Sequence, residues 1–213
     1  MKRYLMLIVL LPLININAQK IGELAEERPP EQFPEKSWGL DILIGEGGFG
    51  LGTFYRSQMT SNLSWFADFS ISESKDDREF EFIDIFGRTT VVGKKNRVFF
   101  LPLNIGTQYR LFRNTLTSNL RPYLSAGVGP TMFVTTPYSK EFFNSFGDAQ
   151  LKYAVGGYVG FGANFGVSKS NLVGLNVRYY VAHLFGDGIE NLENKYRNTI
   201  SSFYLTLNIG LMY

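Results

Sequence analysis

From Trp38 to Tyr213, apolar side chains recur at every second position, the period of strands and not the 3.6 of a helix. Residues 200–213 show this most fully. Phe203, Leu205, Leu207, Ile209, Leu211 and Tyr213 share one face, and Ser202, Tyr204, Thr206, Asn208, Gly210 and Met212 share the other. Residues 151–167 repeat the arrangement, with Tyr153, Val155, Val159, Phe161, Ala163, Phe165 and Val167 on one side. Residues 97–111 set Phe99, Leu101, Leu103, Ile105 and Tyr109 against Phe100, Pro102, Asn104, Gly106, Gln108 and Arg110. The same reading predicts strands at 38–45, 49–57, 63–73, 120–135 and 172–183, making eight. Such a chain is all-β, and its sheet has two unlike faces.

The expected connections differ in length in a regular way. Thr60-Ser61-Asn62-Leu63, Thr117-Ser118-Asn119-Leu120 and Lys169-Ser170-Asn171-Leu172 are short. Ser and Asn suit tight turns, because their side chains bond nearby backbone and Asn tolerates positive φ. Residues 74–96, 136–150 and 184–199 are long, and Glu46-Gly47-Gly48 is brief. The apolar face falls on even positions in 38–44 and on odd positions in 49–55, so a turn must separate two strands there. The unit is an up-and-down hairpin used in series.

Eight such strands close either a soluble lipocalin-like barrel or a membrane-spanning one. Glycine decides between them. Of fourteen strand glycines, thirteen lie on the polar face, and Gly157 is the exception. An eight-stranded barrel is just wide enough inside for side chains to fill it. Glycine among Tyr, Phe, Arg and Asn suits that narrow lumen, whereas on a soluble exterior it would only weaken strands. The apolar face is therefore expected to meet lipid. Trp38, Tyr55, Trp65, Tyr109, Phe165 and Tyr213 gather at one rim of that face, and Phe49, Phe99, Tyr153 and Phe203 gather near the other. Two aromatic girdles mark two membrane interfaces.

On these features, residues 38–213 resemble the small eight-stranded outer-membrane β-barrels of OmpA/OmpX type. The resemblance implies an antiparallel up-and-down transmembrane β-barrel with a polar, side-chain-filled lumen. It implies too that the strand ending in Ile209, Leu211 and Tyr213 is read by the barrel-insertion machinery. No active-site motif carries over, because the family is functionally diverse. No peptidoglycan-binding domain is expected after the last strand.

The start of the chain reads as an export signal. Met1-Lys2-Arg3 precedes an apolar run from Tyr4 to Ile14, and Asn15-Ile16-Asn17-Ala18 supplies a small-residue cleavage site. At eleven residues the run is too short for a spanning helix, which needs roughly 20. Residues 1–18 are thus expected to be removed, and a lipid anchor is excluded by the absence of Cys. Residues 19–37, rich in Glu and Pro, read as a flexible periplasmic segment. The localisation expected is the outer membrane of a Gram-negative bacterium.

Without residues 1–18, which carry Lys2 and Arg3 and no acid, 19 basic residues face 19 acidic ones. The formal charge of +2 for the whole chain thus belongs to the leader, and no nucleic-acid partner is expected. The mean hydropathy of −0.05 averages two interleaved rows and does not report solubility. With no Cys and a single His, neither a thiolate site nor a multi-histidine metal site can form, and no cofactor is expected.

Four features could carry function. Gly45-Glu46-Gly47-Gly48-Phe49-Gly50 matches a dinucleotide fingerprint, but an alternating strand follows where that motif requires a helix. His183 is the candidate of the rival reading, a lipid-modifying outer-membrane enzyme; no spacing ties it to Ser139, Glu141, Asp187 or Glu190. The lumen face carries Asp41, Asp68, Arg56, Arg110, Arg121, Lys152 and Arg178, expected as an ion-paired plug in preference to an anion-favouring conduit. Finally, the long loops offer Phe142, Phe143 and Phe146 on one helical face and an expected hairpin in 74–96 that turns near Phe86-Gly87-Arg88. The function expected is non-enzymatic: a structural role, or contact with lipid and a protein partner through these loops, alone or within a larger assembly.

Overall fold

The computed structural model describes residues 34–213 apart from 77, 84, 86–88, 117–118 and 167–169. The expected leader, most of the 19–37 segment and the Phe86-Gly87-Arg88 turn lie outside the described residues.

Eight strands form one closed barrel: β1 (Lys36–Gly45), β2 (Gly48–Gln58), β3 (Leu63–Ser74), β6 (Asn96–Arg110), β7 (Leu120–Pro137), β8 (Gln150–Gly166), β9 (Asn171–Leu184) and β12 (Thr199–Met212). Each pairs antiparallel with its sequence neighbour in the wall, and β1 pairs with β12 to close the ring. At the seam, the Tyr213 amide donates to the Lys36 carbonyl over 2.9 Å. Closure leaves no edge strand with unpaired backbone, the condition a bilayer interior imposes on a sheet. β1 begins two residues ahead of the expected Trp38 boundary.

Two small hairpins stand outside the wall. β4 (Glu81–Ile83) pairs with β5 (Thr89–Val91) inside the β3–β6 loop, and β10 (Ile189–Leu192) pairs with β11 (Lys195–Arg197) inside the β9–β12 loop. The β7–β8 loop holds a single helical turn, α1 (Phe142–Ser145), followed by a 3-10 turn. All three long loops crowd one mouth. The brief Glu46-Gly47 turn joins them there, whereas the ends of β2, β6 and β8, the starts of β3, β7 and β9, and both ends of the barrel share the other, called here the terminal mouth.

The alternation resolves as read. Trp38, Leu40 and Ile44 of β1 are exposed while Ser37, Asp41 and Leu43 are buried, and the same swing runs through β9 and β12. The outside is a continuous apolar band that includes Leu51, Ile105, Val128, Val159, Phe161, Val177 and Ile209. The interior changes character along its axis, where the alternation alone suggested one polar lumen. Towards the loop mouth, Leu43, Val98, Phe100, Phe133, Leu184, Ile189, Ile200 and Tyr204 form an apolar core. Polar groups fill the middle. Rings fit there because glycine yields space: a Cβ on Gly156 would stand 2.7 Å from the Tyr180 hydroxyl oxygen.

Candidate functional site

In the middle of the lumen, Arg178 of β9 donates to Asp41 of β1 over 2.9 Å and reaches Asp68 of β3 at 3.5 Å. Asn104 and Tyr158 each donate to Asp68 over 2.8 Å. Asn208 donates to Asp41 and accepts from Asn176 over 2.7 Å. Tyr180 donates to Asn104 and meets the Thr131 hydroxyl. Buried charge is tolerated when it is paired and its remaining lone pairs are satisfied, which is what this belt does. The void left between Phe66, Asp68, Tyr123, Tyr158 and Arg178 is about 10 Å³. That is scarcely room for one water. With the apolar core stacked above it, the lumen is closed by side chains.

The other lumen cations lie elsewhere. Lys152 reaches outward, its ammonium donating to the carbonyls of Asp187 and Gly188 in the β9–β12 loop. Arg56 packs over the Phe54 ring at 4.2 Å and donates to Asn164. Arg110 ends β6 and Arg121 sits second in β7, so both reach the terminal mouth. There they line, with Arg56 and Arg113, a cavity of about 370 Å³. Arg113 escaped the sequence reading because it falls in a turn, where strand parity assigns no side. The excess of lumen cations over lumen acids was visible, and the strand ends on which Arg56, Arg110 and Arg121 fall would have located it.

At the loop mouth the three loops are tied together. Lys95 donates to Glu190 over 2.6 Å, and Asn96 donates to the Glu190 carbonyl. Lys94 contacts Glu79 at 3.0 Å and Glu73 at 3.6 Å, and its ammonium lies over the Tyr138 ring. Asp76 binds Arg78 at 2.8 Å and approaches Arg197 at 3.7 Å. These pairs shift ionisation as expected of their geometry. The Arg78 hydrogen bond lowers the Asp76 carboxyl, the Lys95 hydrogen bond lowers Glu190, and Glu190 in turn raises Lys95. β10 is buried along its length and covers the lumen. Above this frame Phe80, Phe82, Ile83, Ile85 and Val92 remain exposed. Phe80, Phe82 and Val92 line an open depression edged by Arg78, Glu193 and Lys195.

Of the loop aromatics, Phe142 and Phe146 pack on Phe99, at 6.1 and 5.7 Å between centroids. Phe99 belongs to the outward face, so α1 lies against the outer wall and does not cap the lumen. Phe143 points away and is 85% exposed.

His183 is outward-facing at the end of β9, and its Nδ1 lies 2.9 Å from the Thr199 hydroxyl of β12. The candidate carboxylates are engaged differently: Glu190 with Lys95, and Glu141 with Asn144. The structure thus assembles no carboxylate–histidine pair from them. The glycine-rich stretch is a two-residue turn, with φ of +118° at Gly48, leading straight into β2.

The aromatic rims are laid out by register. Trp38 pairs with Tyr55, whose ring lies 5.4 Å from that of Trp65. Tyr109, Phe165 and Tyr213 continue this ring around the terminal mouth on the outward face, all exposed. Phe49, Tyr153 and Phe203 are exposed at the opposite rim. A closed antiparallel barrel with an apolar wall between two aromatic rims and a filled interior is a small transmembrane β-barrel.

Among solved structures, the chain is similar to Neisserial surface protein A at 12% identity and a TM-score of 0.48, over 84% of this chain and 95% of that one. It is similar to the N-terminal β-barrel domain of Pseudomonas aeruginosa OprF at 11% identity and a TM-score of 0.47, over 86% and 100% of the two chains. A third similar structure is Ail, the attachment invasion locus protein of Yersinia pestis, at 12% identity and a TM-score of 0.45, over 85% and 100%. No protein-family model matches the sequence, and no curated protein matches it significantly.

Proposed function

We propose that this chain is an integral outer-membrane protein of a Gram-negative bacterium, non-enzymatic, that engages a protein partner through its loop crown. The observation carrying this reading is the exposed apolar set Phe80, Phe82 and Val92 on loops that ion pairs hold in place. Apolar side chains presented on a tethered frame lose little entropy on binding, and an apolar patch with a polar rim is how interaction surfaces are built. A filled lumen supports a surface role over a conducting one. Among the described residues His183 pairs with the Thr199 hydroxyl and with no carboxylate, which favours a non-enzymatic role over lipid modification. In this reading the terminal mouth faces the periplasm, where an exported chain arrives. The strand ending in Tyr213 engages the insertion machinery, and α1 rests at the outer lipid interface.

A photo-crosslinking residue placed at Phe82 in intact cells tests the partner role. A discrete protein adduct lost in Phe80→Ser supports it. Adducts to lipid alone, or none, would overturn it and leave a purely structural function.

A further inference from the structure

We propose that the cavity at the terminal mouth is a binding site for an oxyanion, a phosphate or carboxylate group borne by a small organic molecule. Four guanidinium groups line it, those of Arg56, Arg110, Arg113 and Arg121, against the single carboxylate of Glu35. The two acids of the lumen are committed to Arg178 and do not face this space. Among the described residues, neither Arg110 nor Arg113 forms an ion pair, and the Arg110 Nε is buried without a hydrogen-bond acceptor. Arg110 and Arg113 repel one another. Arg56 is only 7% exposed; the Phe54 and Tyr123 rings and the neutral amide of Asn164 are its contacts, and among the described residues it forms no ion pair.

Gathering like charges in a partly buried space is costly unless an anion joins them. Guanidinium forks match the oxygens of phosphate and carboxylate in pairs. Asn164 and Gln108 add polar groups that can donate to the remaining oxygens. At about 370 Å³ the cavity falls in the range of small-molecule sites and exceeds what one inorganic phosphate would fill. The site is at the opposite end of the barrel from the loop crown, so its test is independent of the partner reading.

Two sources can supply this chemistry. One is a free anion. The other is the chain itself, since Glu23, Glu26, Glu27 and Glu31 shortly precede Pro34 and Glu35, which line the cavity. The full chain in detergent micelles is titrated calorimetrically with sodium pyrophosphate and, separately, with citrate. Binding of either probe is expected. It should weaken at least tenfold in Arg110→Gln and in Arg113→Gln, fade as salt rises, and persist in Lys140→Gln at the far mouth. Arg113 lies in a turn, so its variant keeps the test open should Arg110→Gln fail to fold. A variant with Glu23, Glu26, Glu27 and Glu31 all changed to Gln separates the sources. Several-fold tighter binding in that variant means the chain's own carboxylates compete for the site. Unchanged binding assigns it to a free anion. Failure of both probes to bind both the natural chain and the four-fold variant would overturn the proposal, as would an affinity in both arginine variants equal to that of the natural chain.

Discussion

Arg178 Nη2 lies 2.9 Å from Asp41 Oδ2, joining β9 to β1 across the barrel and across 137 positions of sequence. Both side chains are nearly sealed from solvent. Removing the cation would leave Asp41 and Asp68 as uncompensated buried charges, a loss of about 3–5 kcal/mol. Arg178→Ala should therefore lower the temperature at which the folded gel band converts to the unfolded one. Adding Asp41→Asn and Asp68→Asn should restore much of that loss. Single-channel conductance should not rise, because Phe100, Phe133 and Tyr204 still close the lumen above the belt. A large conductance in the single variant would show that the belt, and not the apolar core, is the barrier.

Barrel closure depends on backbone proximity at one seam. A Cβ on Gly39 would stand 2.2 Å from the Ile209 carbonyl oxygen and 2.5 Å from the Gly210 Cα, and backbone cannot yield as a flexible side chain can. Gly39→Val should abolish the heat-modifiable folded form. Gly147→Ala, where nothing lies within 4 Å, should change stability by no more than about 0.5 kcal/mol. A Gly39→Val protein that folds normally would mean β1 and β12 meet in a looser register.

The wall of this barrel was legible in the sequence because strand parity is a local, period-two property that closure does not change. The outward, exposed placement of Trp38, Tyr109 and Phe203 followed from parity and strand end alone. The crown was not legible. Lys95–Glu190 and Lys94–Glu79 join loops in which no period operates, and β10 covers the lumen through contacts no alternation encodes. Among the candidate cations, Arg178 and Arg110 share a face by parity, yet among the described residues Arg178 forms ion pairs and Arg110 forms none. That distinction depends on height along the barrel axis, which needs the register between strands that are distant in sequence.

The ion pairs of the crown set its pH range. Asp76 is held below its ordinary 3.8 by the Arg78 hydrogen bond, so its contribution is complete above that value and is lost as pH falls through the lower, folded one. Glu190, lowered by Lys95, follows the same sign. Lys95 is raised above 10.5, so its contribution is complete below that pH and is lost as pH climbs through its higher, folded value. Limited proteolysis of the 75–95 and 185–198 loops should be slow and flat between about pH 5 and pH 10, and faster outside that window. In Asp76→Asn the acid-side acceleration should shrink. An unchanged acid limb in that variant would assign it to Glu190.

Both tryptophans of the chain, Trp38 and Trp65, face outward at the terminal rim. Indole rings settle where hydrocarbon gives way to headgroups, because the ring is apolar and its N–H needs a partner. After reconstitution into bilayers, their emission should be quenched strongly by lipids brominated near the headgroup and weakly by lipids brominated near the chain ends. Trp65→Phe should remove part of the signal and leave a profile still greatest near the headgroups, since Trp38 stands on the same rim. Quenching greatest at the chain ends would place this rim in the bilayer centre and shift the membrane boundary towards the turns. Quenching by aqueous iodide alone would mean that the apolar wall does not meet lipid at all.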